Sequence, residues 1–232
     1  MKYKAVIFDL DDTLFDRNAA QIRVVELIAE QLPQIFHDHR IEQITGAFLE
    51  SDRLACIAYD AGAPSNDLRR KRSKNFLKIL GIKEDCEELI TEMYLRYYRE
   101  SNLPITSTVP IVKEISKHLP VAVISNGMPD TQYDKIKAIG LDNVFSHVVL
   151  SEEIGIRKPD SRIFQHTADL LKVGLSECLY IGDSYSNDVV GAKTAGMKAC
   201  WFKRESADAE GWGIQPDFVI NSLGELINIL NL

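Results

Sequence analysis

An α/β protein with a doubly wound parallel sheet and a helical insert is the fold class that this sequence predicts, on three observations. Short apolar runs rich in β-branched and aromatic residues recur along the chain, each followed by a helical pattern. Most of these runs are apolar at every position, as strands buried on both faces of a parallel sheet must be. One stretch, from about Asp16 to Asn102, breaks the alternation and holds no convincing strand.

The first strand is Lys4 to Phe8. In the stretch that follows, helices are expected over Ala19 to Gln31, Ile41 to Tyr59, Asn66 to Leu80 and Glu84 to Glu100, punctuated by Gly62-Ala63-Pro64 and Gly81. An all-helical segment directly after the first strand reads as a second domain built into the first. The core is then discontinuous, residues 1–15 folding with 103–232, and 16–102 forming the insert. The strand rhythm resumes with Val121-Ala122-Val123-Ile124, Ser146 to Leu150, Cys178-Leu179-Tyr180-Ile181, Ala199-Cys200-Trp201-Phe202 and Phe218-Val219-Ile220. Gly140, Gly174 and Gly196 are expected to close the intervening helices, where a left-handed residue is wanted. No internal repeat and no low-complexity segment interrupts this order.

Composition narrows the function classes. A chain of 232 residues buries a full core, and its 45% hydrophobic and 26% charged residues are those of an ordinary globular protein. The formal net charge of -7 argues against a general nucleic-acid binder, which needs a basic surface, but leaves room for a small anion in a locally positive pocket. Cys56, Cys86, Cys178 and Cys200 are widely spaced, so zinc has no support. The N-terminus carries acids where a signal peptide needs an apolar stretch, and no run approaches membrane-spanning length. The expected location is the cytoplasm, with reduced thiols.

Four motifs carry chemistry. The first strand runs straight into Asp9-Leu10-Asp11-Asp12-Thr13. Two unit charges ~4 Å apart repel by about 4 kcal/mol at an effective dielectric of about 20, so a fold keeps such a cluster mainly when a cation or a reaction uses it. The segment reads either as a divalent-metal site with a carboxylate nucleophile or as a strand end followed by an acidic turn. Ser125-Asn126-Gly127 follows the second strand and reads as a phosphate grip of hydroxyl and backbone amides, or as a plain turn. Lys158, in Gly155-Ile156-Arg157-Lys158-Pro159-Asp160, stands before a helix whose first position suits Pro159; it reads as a charge-neutralising cation or a solvated loop lysine. Gly182-Asp183-Ser184-Tyr185-Ser186-Asn187-Asp188 follows the fourth strand. Its two acids suit a magnesium ion, which takes a few carboxylates plus waters, or a loop acid and a helix first turn. All four motifs lie at carboxyl ends of predicted strands, the edge where open α/β sheets bind ligands. Together they supply a nucleophile, an acid, a hydroxyl, a cation and metal ligands, a constellation that outranks any single motif.

These residues resemble the haloacid dehalogenase-like hydrolase superfamily: Asp9-x-Asp11-x-Thr13 its first motif, Ser125 the second, Lys158 the third, and Gly182-Asp183-x-x-x-x-Asp188 the fourth. The resemblance implies a Rossmann-like core with a C1-type helical cap domain. The wording of the motifs is similar to small-molecule phosphatases of the nucleotidase and acylneuraminate-9-phosphatase kind. Carried over residue by residue, it implies that Asp9 attacks phosphorus and forms an aspartyl-phosphate. Asp11 then protonates the leaving alcohol and later takes a proton from water, its neighbouring carboxylates favouring proton retention. Magnesium is held by Asp9, the Asp11 main-chain carbonyl and Asp183, with Asp188 ordering the loop. Thr13, Ser125, Asn126 and Lys158 hold the phosphoryl oxygens. The dehalogenases of the superfamily lack an acid at the Asp11 position and need no metal, so dehalogenation is not expected.

The implied activity is a magnesium-dependent hydrolysis of a small phosphomonoester such as a nucleotide or sugar phosphate. A phosphomutase and a non-catalytic phosphate-binding or regulatory protein stand as alternatives. The expected partner is a small phosphorylated metabolite, with neither nucleic-acid polymer nor membrane, the protein being a monomer or homodimer. The insert is expected to close over the core and read the leaving group. There, Arg69-Arg70-Lys71-Arg72 with Lys74 reads as a solvated helix face, or as the source of one side chain that meets a second anionic group. Tyr94, Tyr97 and Tyr98 read as packing residues at helical spacing, or as a stack for a base or sugar. The stretch from Arg204 to Asp217, with Gly211-Trp212-Gly213, reads as a long loop after the fifth strand.

Overall fold

The computed structural model describes residues 3–63, 65–204 and 213–232. Trp212 and most of the expected loop after the fifth strand, like Pro64, lie outside the described residues. The strands are β1 (Ala5–Phe8), β2 (Val121–Ser125), β3 (His147–Leu150), β4 (Cys178–Gly182), β5 (Lys198–Phe202) and β6 (Phe218–Ile220). They form one parallel sheet in the order β3-β2-β1-β4-β5-β6. The helices in chain order are α1 (Arg17–Gln31), α2 (Pro33–Phe36), α3 (Ile41–Asp60), α4 (Ser65–Leu80), α5 (Glu87–Arg99), α6 (Thr108–Ser116), α7 (Pro129–Ala138), α8 (Ser151–Ile154), α9 (Ser161–Leu171), α10 (Val190–Ala195) and α11 (Leu226–Leu230). Residues 1–17 with 102–232 form one compact unit and 18–101 another. No described helix is long and apolar enough to cross a membrane.

In the α/β unit every residue of β1, β2 and β4 is buried, which is why these strands are continuously apolar rather than alternating. Alternate residues Ala5, Ile7, Ala122, Ile124, Cys178, Tyr180, Ala199 and Trp201 join Ile163 and Phe164 of α9 and Ala192 of α10 in one core cluster. Burying a side chain of the Ile or Phe class is worth about 1.5–3 kcal/mol, so this layer is the main stabilising contribution to the sheet. The strand order reverses between β1 and β4, and the crevice above their carboxyl ends is the natural ligand position.

Two local expectations are corrected. Pro159 does not open a helix: α9 begins at Ser161, and Asp160 is its N-cap, its side chain accepting from the Arg162 backbone N–H. The Asp carboxylate satisfies one of the N–H groups that the first turn of a helix leaves without an intrahelical partner. Gly140 and Gly196 do close helices in the left-handed region (φ 72° and 96°), but Gly174 does not; Lys172 takes the left-handed position at the end of α9.

The helical unit has an aromatic core. Phe48 stacks on Tyr94 at 4.8 Å and Tyr94 on Tyr98 at 5.0 Å, with Phe36 and Phe76 alongside. Tyr94 and Tyr98 are therefore packing residues, while the Tyr97 hydroxyl donates to Gln31 Oε1. The basic run is divided. Arg72 is buried, its guanidinium 4.0 Å from the Tyr94 ring centre and 2.9 Å from Asp52. Arg70 meets Glu87 at 3.0 Å and Lys71 meets Asp67 at 3.5 Å.

Candidate active site

The end of β1 delivers Asp9, whose backbone N–H donates to the Ile181 carbonyl of β4. The chain then turns sharply: Asp12 lies in the left-handed region (φ 60°), and the N–H groups of Leu14 and Phe15 both return to the Leu10 carbonyl. Asp tolerates this conformation better than most residues. Asp9, Asp11 and Thr13 are thereby all presented on one short turn.

Lys158 stands at the centre of the buried polar cluster. Its Nζ lies 2.6 Å from Asp9 Oδ1, 2.7 Å from Asp188 Oδ1 and 3.0 Å from the Tyr180 hydroxyl. Burial opposes its charge, but Asp188 and Asp9 outweigh that and hold the ammonium well above the ordinary lysine range. Asn126 fixes the lysine from behind. Its side-chain amide donates to the Lys158 carbonyl at 3.0 Å and accepts from the Lys158 N–H at 2.9 Å. The sequence reading places Asn126 among the residues that hold the phosphoryl oxygens; in the structure both ends of its side chain are engaged by the Lys158 backbone. Ser125 is buried at the end of β2, and its Oγ accepts from Gly127 N at 3.1 Å.

Asp9, Asp183 and Asp188 bring carboxylate oxygens within 4.8 Å of one another. Burial pushes Asp9 up to about 7, with Lys158 opposing and Asp188 adding to the rise. Burial, then Asp9 and Asp188, push Asp183 up to about 9. One lysine does not neutralise three acids, so with all three ionised the negative charge exceeds what the lysine offsets, and without a further cation Asp9 and Asp183 hold their protons. A buried set of oxygen donors with surplus negative charge fits a magnesium ion. Asp188 is the most engaged of the three: Oδ1 accepts from Lys158 and Tyr180, and Oδ2 from the Ser184 N–H at 2.9 Å. The Thr13 hydroxyl donates to Asp183 Oδ1 at 3.3 Å, and Trp201 Nε1 donates to the Asp183 carbonyl at 2.7 Å. Gly182 permits this arrangement, since a Cβ there would fall 2.3 Å from the Asp188 carboxyl carbon.

Asp11 is turned the other way. Its Oδ1 accepts from Lys135 Nζ at 2.5 Å and its Oδ2 from Gln132 Nε2 at 2.8 Å, both donors coming from α7. The expectation of proton retention on Asp11 is corrected. Burial favours the acid, but Lys135 and Arg17 outweigh it and hold the carboxyl below the usual range. Sequence reading missed Gln132, Lys135 and Tyr180. The two α7 residues have the i, i+3 spacing of one helical face, but nothing in the chain points that face at Asp11. Tyr180 reads as one more aromatic residue in an apolar strand. Arg204 was also missed; it meets Asp12 at 2.8 Å and Asp16 at 3.1 Å, bracing the turn after β1.

Known proteins resemble this chain along most of their length. The chain is 25% identical to the pyrimidine 5'-nucleotidase YjjG of Escherichia coli over 235 residues, 99% of each protein. It is 26% identical to (S)-2-haloacid dehalogenase 2 of a Pseudomonas species over 230 residues, 98% of this chain and 96% of that one. Among solved structures, the HAD-hydrolase YfnB of Bacillus subtilis, described as bound to magnesium, superposes with a TM-score of 0.84 at 24% identity, covering all of both chains. The family model described as haloacid dehalogenase-like hydrolase matches residues 3–196, across the turn after β1, Ser125, Lys158 and the Asp183–Asp188 loop, and the chain belongs to that family.

Proposed function

We propose that this hydrolase is a magnesium-dependent phosphatase of small phosphomonoesters, acting in the cytoplasm through an aspartyl-phosphate on Asp9. The observation that carries the reading is the pairing of a buried acidic cluster around Lys158 with a second carboxylate, Asp11, two residues beyond Asp9 and supplied with donors of its own. A dehalogenase of this superfamily uses neither a metal nor an acid at that position. The likeness to a pyrimidine 5'-nucleotidase supports a phosphorylated metabolite of nucleotide or sugar-phosphate size. Residues 16–102 act in this proposal as the cap domain that selects the leaving group.

In the first half-reaction an Asp9 carboxylate oxygen attacks phosphorus and the bond from phosphorus to the ester oxygen breaks. Asp11 enters this step protonated, the incoming phosphate anion opposing the pull of Lys135 and Arg17 on its carboxyl, and gives that proton to the leaving oxygen. In the second half, water attacks the phosphorus of the aspartyl-phosphate and gives its proton to Asp11. The bond from phosphorus to Asp9 breaks, freeing the carboxylate and inorganic phosphate. Lys158 neutralises charge between Asp9 and the incoming phosphoryl group, and Asn126 keeps Lys158 in place. Thr13 and Ser125 offer hydroxyls to the phosphoryl oxygens. Asp9, Asp183 and the Asp11 main-chain carbonyl would hold a magnesium ion, which would supply charge stabilisation to the transferring phosphoryl group. Asp188 anchors Lys158 and the loop that carries Asp183.

The test is phosphate release from a panel of nucleoside monophosphates, sugar phosphates and phosphoglycolate, with magnesium and with chelator. Wild type is expected to release phosphate only with magnesium, and Asp9→Asn to lose at least ~10³-fold. Release that persists in Asp9→Asn, or that ignores the chelator, overturns the reading.

A further inference from the structure

We propose that Gln132 and Lys135 of α7 form a cradle that aims the Asp11 carboxylate at the leaving-group oxygen, making them positioning residues for proton transfer. The assignment rests on the phosphatase reading above. Each Asp11 oxygen has its own donor, Lys135 on one and Gln132 on the other. The donors are buried, at 2% and 1% exposure, whereas the Asp11 side chain keeps 22% of its surface open. The carboxylate is thus gripped from the protein side and left accessible on the other.

Stability alone gives little reason for this face of α7. Burying a lysine and a glutamine side by side sacrifices hydration and rotamer freedom that apolar residues would not lose. The surroundings are shaped to permit it. The Lys135 ammonium lies 5.3 Å from the Phe15 ring centre, and Phe15 bridges back to Asp11. A Cβ on Gly127 would fall 1.3 Å from Gln132 Nε2, so the turn after β2 is left bare where the amide passes to Asp11. Gly127 is not in the left-handed region, and room for Gln132 is the reason the structure offers for a glycine there.

The chemistry needs such a cradle. Asp11 gives up its proton as the ester bond breaks and receives one from water as the aspartyl-phosphate is cleaved. In both transfers it must lie within hydrogen-bond reach of the same small volume. Two donors from one helix restrict the carboxylate to one orientation and stabilise its ionised form between the two half-reactions.

The experiment compares kcat/KM for the best alkyl ester of the panel with that for 4-nitrophenyl phosphate, whose leaving group departs without a proton. Lys135→Met and Gln132→Leu are expected to lose roughly 10²-fold on the alkyl ester and under about 5-fold on the aryl ester, with Lys135→Arg recovering most of the loss. Gly127→Ala is expected to reproduce Gln132→Leu, and the double variant to be no worse than either single one. Equal losses on both esters, or none, overturn the cradle while leaving the phosphatase standing. A wild type that hydrolyses neither ester overturns both. Should Lys135→Met fail to fold, as read by thermal melting, Gln132→Leu carries the same comparison.

Discussion

Tyr180 illustrates how much of the site depends on residues that carry no charge. It sits in the middle of β4, fully buried, with its ring edge-on to Phe164 at 5.0 Å. Its hydroxyl donates to Asp188 Oδ1 and accepts from Lys158. Burial raises its ionisation far above the ordinary tyrosine range, so it stays a neutral donor at any working pH. Tyr180→Phe keeps the packing and removes one hydroxyl from a charged network, where a hydrogen bond is worth about 1.5–3 kcal/mol. Phosphate release is expected to fall roughly tenfold or more in kcat with KM little changed, since Lys158 keeps its two carboxylates but loses its orientation. Steady-state kinetics on the preferred ester checks this, and an unchanged kcat would dismiss the positioning role.

At the scale of elements, the helical unit shows what a charge run becomes when one of its members faces inward. Arg72 of α4 and Asp52 of α3 are both buried and 2.9 Å apart, and Arg72 also lies 4.9 Å from the Phe48 ring centre. A buried ion pair adds little net stability, but removing one partner strands the other at a cost of about 3–5 kcal/mol. Asp52→Ala is expected to lower stability by that order in urea unfolding, whereas breaking an exposed pair such as Lys117 with Glu114 is expected to leave the unfolding midpoint nearly unchanged. Similar effects for the two would remove the distinction drawn between them. Strands behave more simply: β1 pairs in parallel with β2 on one side and β4 on the other, is buried on both faces and is accordingly apolar at every position.

For the whole molecule, the acidic cluster ties stability to metal and pH. Asp9 and Asp183 are raised in the folded state, so the folded protein binds more protons than the unfolded chain. Their contribution is fully present below about pH 4, the ordinary aspartate range, and is lost as pH rises through about 7 for Asp9 and about 9 for Asp183. Metal-free protein is therefore expected to melt progressively lower between pH 5 and roughly 9. In the proposed site magnesium would take the place of the lost protons, so the increase in melting temperature that it confers is expected to grow across the same interval. Melting curves with chelator and with magnesium at several pH values check this; an increment that stays flat would detach the metal from the cluster.

The sequence by itself determined the strands, the parallel doubly wound class of their sheet, the helical insert and the four motifs, because each rests on local signals and their alternation. Apolar runs at strand length, a 3.6-residue period and acids directly after a strand need no knowledge of distant residues. All six strands and the insert's four long helices appear within a few residues of where the periodicity puts them. Tertiary structure decided which partner each polar group takes. Asn126 faces the Lys158 backbone rather than solvent, Arg72 turns inward while Arg70 and Lys71 do not, and Asp11 is held by α7, more than a hundred residues away in the chain. Such pairings depend on which buried donors meet which acceptors once the sheet has formed, and a single chain read along its length holds no term for that geometry.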